Sequence, residues 1–103
     1  MTRENYFFVN KFIPGQCVAT PGAMNVLAEH YVLPEDLLRR HVSGDWGDLD
    51  DEDKQRNEEA LKNGARIFAS YVLAEGVKVW IITEAINDIG IRSSTTILLP
   101  EEY

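Results

Sequence analysis

From Ile67 the chain alternates. Ile67, Ala69, Tyr71 and Leu73 share one parity, and Phe68, Ser70 and Val72 the other. A period of two is the signature of a strand. Glu75-Gly76 then reads as a tight hairpin turn, with Val77–Glu84 as the returning strand. Thr95–Leu99, closed by Pro100, reads as a third strand. The segment between them, Asn87–Ser94, is made of turn-forming residues and reads as a loop.

Before residue 64 the spacing is helical. Thr20-Pro21 is a helix start, with a hydroxyl to accept orphan amide bonds and a proline suited to the first position. Ala23, Met24, Leu27 and Ala28 keep that spacing to an end near His30. A second helix opens at Pro34-Glu35-Asp36, is anchored by Leu37 and Leu38, and is stopped by Gly44. Its acids lie in the first turn and Arg39, Arg40 and His41 in the last, which suits the helix dipole. A third helix is predicted from Asp50 to Asn63, with Asp50 as N-cap and Gly64 closing it. Its thin apolar face (Leu49, Ala60, Leu61) predicts a surface helix. Upstream, Tyr6–Val9 is apolar, Lys11–Gly15 is extended into a Pro-Gly turn, and Gln16–Ala19 could form a short strand. The expected fold is a single α+β domain spanning 1–103, with N-terminal helices packed on a three- to four-stranded antiparallel sheet.

Charge changes the picture more than composition does. The chain of 103 residues carries a net charge of −7. Between Asp45 and Lys62 eight acids face three bases, while residues 1–44 balance at four of each. Charge concentrated in this way bears on partners rather than on fold. It argues against direct DNA binding by the surface as a whole. The sequence has no apolar run long enough for a transmembrane helix and no signal-peptide core, so the expected location is cytoplasmic, away from membranes. Cys17 is the only cysteine, and its setting reads as a small buried hydrophobe. With His30 and His41 it falls short of a structural zinc set, so no metal is expected, and nothing calls for a cofactor. An EF-hand reading from Asp48 fails because Asp53 stands where a glycine is needed.

Three segments carry a resemblance: Gly44-Asp-Trp-Gly-Asp-Leu49, Trp80-Ile-Ile-Thr-Glu-Ala85 and Arg92-Ser-Ser-Thr-Thr-Ile-Leu-Leu-Pro-Glu-Glu-Tyr103. They resemble a family of small bacterial proteins carried on plasmids and other mobile elements. These are often labelled "plasmid-related protein" or "type I restriction endonuclease subunit M". The resemblance covers roughly residues 18–103. The methylase label does not fit these residues, because the chain lacks the glycine-rich cofactor loop and the Asn/Asp-Pro-Pro-aromatic motif. In that family the Thr-Glu-Ala strand end runs more directly into the Arg-Ser-Thr-Thr segment, whereas here Ile86–Ile91 intervene.

Two functional readings follow. The favoured one is a small acidic accessory protein of mobile elements that acts by protein–protein interaction, in the manner of an antirestriction or anti-CRISPR inhibitor. Its partner would be a host or element-encoded protein, with a basic nucleic-acid-binding defence protein as the prime candidate. A homodimer is compatible with the sequence. The partner-binding candidates are Trp46, Asp48, Asp50, Asp51, Glu52 and Asp53, where clustered carboxylates would mimic phosphates and an exposed Trp would anchor the contact. The plainer reading of Trp46 is a lid on the core, and that of the acids a solvated helix. The alternative function is a compact barnase/RelE-like ribonuclease using His41, Glu84, Arg92 and Thr95 as acid, base and charge stabiliser. For that set, too, ordinary roles exist: a dipole-favoured His41, a surface Glu84–Arg92 pair and a strand-forming Thr95. Trp80, alternating with Ile82, is assigned to the core.

Overall fold

The computed structural model describes residues 10–103, so the apolar run Tyr6–Val9 lies outside the described residues. The elements follow in the order β1 (Gln16–Ala19), α1 (Pro21–Glu29), α2 (Pro34–Val42), α3 (Asp51–Asn63), β2 (Ile67–Ala74), β3 (Val77–Thr83) and β4 (Ser94–Leu98). A single 3-10 turn, Pro100–Glu102, follows β4. The class is α+β.

Local chemistry accounts for the helix ends. Thr20 Oγ1 accepts from Ala23 N at 3.0 Å and opens α1. Asp50 Oδ1 accepts from Asp53 N at 2.8 Å and opens α3, whose first turn holds Asp51, Glu52 and Asp53 against the positive end of the dipole. Gly64 closes α3 in the left-handed conformation at φ 81°.

The four strands form one sheet in the order β1-β4-β3-β2. The β2–β3 and β3–β4 pairs are antiparallel, as short connections allow. The fourth strand corrects the expectation of an antiparallel sheet. β1 lies parallel to β4, with Gln16 beside Ser94 and Ala19 beside Ile97, so the sheet is mixed. All three helices and the β2–β3 hairpin sit in the crossover from β1 to β4, ample chain for a parallel return. The helices are also not all N-terminal to the sheet, since β1 precedes them.

One face of the sheet is covered. Ile67, Ala69, Tyr71, Val79, Ile81 and Ile97 pack there with Ala23 and Leu27 of α1, Leu37 of α2, Ala60 of α3 and Trp46. Full burial of each large aliphatic side chain is worth about 1.5–3 kcal/mol. The opposite face carries Phe68, Trp80 and Ile82, on the other parity. Trp80 is therefore not a core residue of the helix-covered face. It is half-buried, with Phe68 edge-on at 5.0 Å and Tyr103, delivered by the 3-10 turn, at 5.9 Å. Cys17 is likewise exposed rather than buried, because β1 is an edge strand.

Candidate functional site

The expected catalytic group falls in two parts. His41, at the end of α2, points inward and is fully buried. Its Nε2 lies 2.9 Å from Thr83 Oγ1, which lies 2.7 Å from Thr95 Oγ1. The Thr95 hydroxyl in turn donates to the Pro14 carbonyl at 2.7 Å. Proton counting orders this chain. A hydroxyl has one hydrogen, and a carbonyl can only accept. Thr95 spends its hydrogen on Pro14, so it accepts from Thr83. Thr83 then has none left and accepts from His41. The imidazole is thus held as the Nε2–H tautomer, and its bare Nδ1 has no hydrogen-bond partner.

Phe12 closes this chain from the outside. Its ring meets His41 edge-on at 5.3 Å and stacks on Trp46 at 6.3 Å, while Trp46 meets His41 edge-on at 5.8 Å. The strap that carries Phe12 is fastened by Lys11 N to the Val42 carbonyl at 2.7 Å and by Gln16 N to the Ser93 carbonyl at 3.1 Å. Burial, with the Arg92 charge adding to it, pushes His41 down to about 3. At neutral pH the ring is uncharged, so it lends no cation to the α2 dipole.

Arg92 is 7% exposed. Its guanidinium donates to the carbonyls of Ala65 (2.7 Å), Glu84 (2.9 Å) and Ala60 (3.0 Å). The intervening Ile86–Ile91 segment does not separate Arg92 from Glu84. It folds back on itself through the Asn87 side chain, which accepts from Ile89 N and Ile91 N, and Ile86 pairs with Arg92. What meets Arg92, however, is the Glu84 backbone; the Glu84 residue itself is exposed. The structure therefore gathers His41 and Thr95 into one buried chain, sets Arg92 beside it, and leaves the Glu84 carboxylate outside. In this arrangement neither the His41 ring nor the Thr95 hydroxyl is open to a substrate.

Sequence reasoning missed Thr83 and Phe12. Thr83 shares parity with Val79 and Ile81, which marks it as inward-facing and therefore in need of a buried partner. Nothing local marks Phe12, since its contacts come from α2, the residue 46 turn and the residue 92 region.

The partner-binding candidates separate differently. Trp46 is 4% exposed, and its Nε1 donates to Glu58 Oε2 at 2.9 Å. It presents no surface to a partner, which corrects its assignment as a contact residue. The turn that buries it requires Gly47, at φ 75°, because a Cβ there would collide with the Ser70 carbonyl of β2. Asp48, Asp50, Asp51 and Glu52 are exposed, and Asp53 is half-buried. Asp50 is committed to capping, and Glu52 and Asp53 face Arg56 at 3.2 and 3.6 Å. Behind them, Asn57 clamps α3 to β2. Its side-chain amide donates to the Phe68 carbonyl at 2.6 Å and its oxygen accepts from Phe68 N at 3.1 Å. Nearby, Arg40 pairs with Asp45 at 2.6 Å and lies 4.7 Å from the Tyr71 ring centre. That hydrogen bond holds the Asp45 carboxyl below its usual range.

Among the described residues no group of three or more His, Cys, Asp or Glu side chains is placed to hold a metal ion. No helix among them is long and apolar enough to cross a membrane. Comparison with family models, with curated proteins and with solved structures returns no match to this chain.

Proposed function

We propose that the protein is non-enzymatic and acts by protein–protein contact, offering the carboxylates of α3 to a basic surface on a nucleic-acid-binding partner. An antirestriction or anti-CRISPR inhibitor carried by a mobile element would work in this way. The observation that carries the reading is the mounting of α3. Its inner side is pinned by the two Asn57 hydrogen bonds and by Glu58 to Trp46, while Asp51, Glu52 and Glu59 face solvent. Carboxylates on a fixed helix lose little freedom on binding, which favours affinity and partner choice. The 13 residues of α3 extend about 20 Å. One DNA strand carries about six phosphates over that length. The ribonuclease alternative draws no support from the placement of His41, Thr95 and Glu84.

The test is affinity capture from host lysate, with and without nuclease and at low and high salt, read by mass spectrometry. The expected result is a basic nucleic-acid-binding protein that survives nuclease and is released by salt. Reversal of Asp51, Glu52 and Glu59 to Lys spares the Asp50 cap and should abolish capture while the fold survives, at a cost of about 1–3 kcal/mol because two of the three acids leave the first turn of α3. Undiminished capture by that variant would rule out the charge-mimic mechanism.

A further inference from the structure

Arg92 is a buried cation without a counter-ion. Of the five N–H groups of a guanidinium, three donate to the Ala60, Ala65 and Glu84 carbonyls. The other two, on Nε and Nη2, meet no acceptor among the described residues. The ion pairs among the described residues engage Arg39, Arg40 and Arg56, and none reaches Arg92. The C-terminal end of α3, which supplies the Ala60 carbonyl, offsets part of the charge, as a helix C-terminus carries about half a negative charge. Phe12 lies 5.7 Å away and offers its ring face. These contacts explain where the side chain sits. They leave its charge without an anionic partner among the described residues, facing the opening that it lines.

The same residue lines a cleft of about 500 Å³. The other walls are mostly apolar, with Phe12, Ile13, Leu61, Ile86 and Ile91, and Lys62 and Asn63 also line it. Ile13, Ile86 and Ile91 are exposed large hydrophobics that gather around this one opening. Among the described residues no acid lines it, although the chain as a whole carries −7. Small-molecule sites commonly have about 300–1,000 Å³, mostly apolar walls and a few polar groups that fix orientation.

We propose that this cleft binds a small carboxylate with an apolar body, the carboxylate accepting from the unspent N–H groups of Arg92 and the body resting on Phe12, Ile86 and Ile91. One buried guanidinium matches one negative charge. A dianionic, strongly hydrated phosphate would gain nothing from the isoleucines. Lys62 adds attraction without adding a buried charge. The site is separate from the acidic face of α3 and stands whether or not that face recruits a partner.

The full-length protein, labelled with nitrogen-15, would be titrated with octanoate and with 3-phenylpropionate. Octanamide and 3-phenylpropanamide serve as neutral matches, and inorganic phosphate as an anion without an apolar body. The expected result is saturable binding of at least one carboxylate at millimolar or lower concentration. It should shift the Arg92 Nε–H and the Ile86 and Ile91 amides. The matching amide should bind at least tenfold more weakly. Ile91→Asp, at an exposed side chain that shares no hydrogen bond with Arg92, should weaken the carboxylate at least tenfold while leaving the unfolding temperature near the wild-type value. Arg92→Lys is the harsher variant, because it also removes the carbonyl bonds. Equal affinity for acid and amide would overturn the proposal by making the cleft a merely greasy groove. So would phosphate binding as tightly as the carboxylates, no saturable shift at millimolar concentration, or Ile91→Asp binding like wild type. Shifts in the same amides that follow protein concentration alone would assign the cleft to a second copy of the chain and overturn it as well.

Discussion

Trp46 and Trp80 belong to the two opposite sides of this protein. Trp46 sits in the helix-covered core between Phe12 and His41, with its indole N–H taken by Glu58. Trp80 stands on the face that no described α-helix covers, touched by Phe68 and Tyr103 and half-buried. Around Trp46 the neighbours depend on one another: the ring shields a neutral histidine, two threonines fix that histidine's tautomer, and the second threonine fastens the strap that carries Phe12. Around Trp80 the contacts are pairwise, and loss of one leaves the others in place. The comparison separates two ways of using an aromatic side chain, as a member of a coupled network and as an additive contact.

That difference can be broken by measurement. The largest effect is expected for Trp46→Ala. Truncation of a buried Trp costs about 3–5 kcal/mol, and the coupled partners place this one at the upper end. Denaturant unfolding would read it, and a loss no greater than that of Trp80→Ala would remove the distinction. Next is Thr83→Val, which keeps the shape but strands the His41 Nε2–H and breaks the chain. A loss of about 1–3 kcal/mol is expected, with Thr83→Ser recovering most of it. Equal stability of the Val and Ser variants would mean that the hydroxyl order contributes nothing.

Acid supplies a third test confined to the Trp46 side. The unfolded chain binds a proton on His41 near 6.5, whereas the folded chain does so only at about 3. Between those values the unfolded state holds more protons, so stability is complete above 6.5 and falls as pH falls toward 3. At pH 5.5 the loss is about 1.4 kcal/mol. The carboxyls held low by hydrogen bonds, Asp45 and Glu102, begin to cost stability only as pH falls toward their ordinary values of 3.8 and 4.5, so they add little between pH 7 and 5. An unfolding curve flat from pH 7 to 5 would show that the imidazole reaches water. The smallest effect is expected for Trp80→Ala, about 1–2 kcal/mol for a half-covered ring that leaves no polar group unpaired.

Local signals were legible and long-range ones were not. Thr20, Asp50 and Gly64 mark helix ends by chemistry that acts within four residues, and Glu75-Gly76 marks the hairpin in the same way. The direction of β1 depends on Ser94–Ile97, far along the chain, and no local pattern encodes it. Alternation with Ile82 put Trp80 on a strand and suggested the core, but parity alone does not say which face the helices will cover. For the candidate site, residue type pointed to His41, Arg92 and Thr95, and these do lie near one another. Their burial, and the substitution of the Glu84 backbone for its carboxylate, are consequences of packing by Phe12 and by the Asn87 turn. The clustering of acids on α3 was plain from charge counting, whereas the Asn57 clamp behind them was not, since an asparagine in a polar helix gives no hint of a strand backbone opposite.

The parallel pairing of β1 with β4 also bears on how the chain is made. β1 leaves the ribosome ahead of every other described element and has no strand partner until Ser94–Leu98 has emerged. The Phe12 strap waits on the same event, because the Thr95 hydroxyl and the Ser93 carbonyl that fasten it belong to that late segment. The helices and the β2–β3 hairpin can form during synthesis, but the covered core cannot close on His41 until translation is nearly through β4. A chain stalled before that point would expose an apolar interior with a long dwell time, and the pace of synthesis through β4 thereby becomes part of what determines yield.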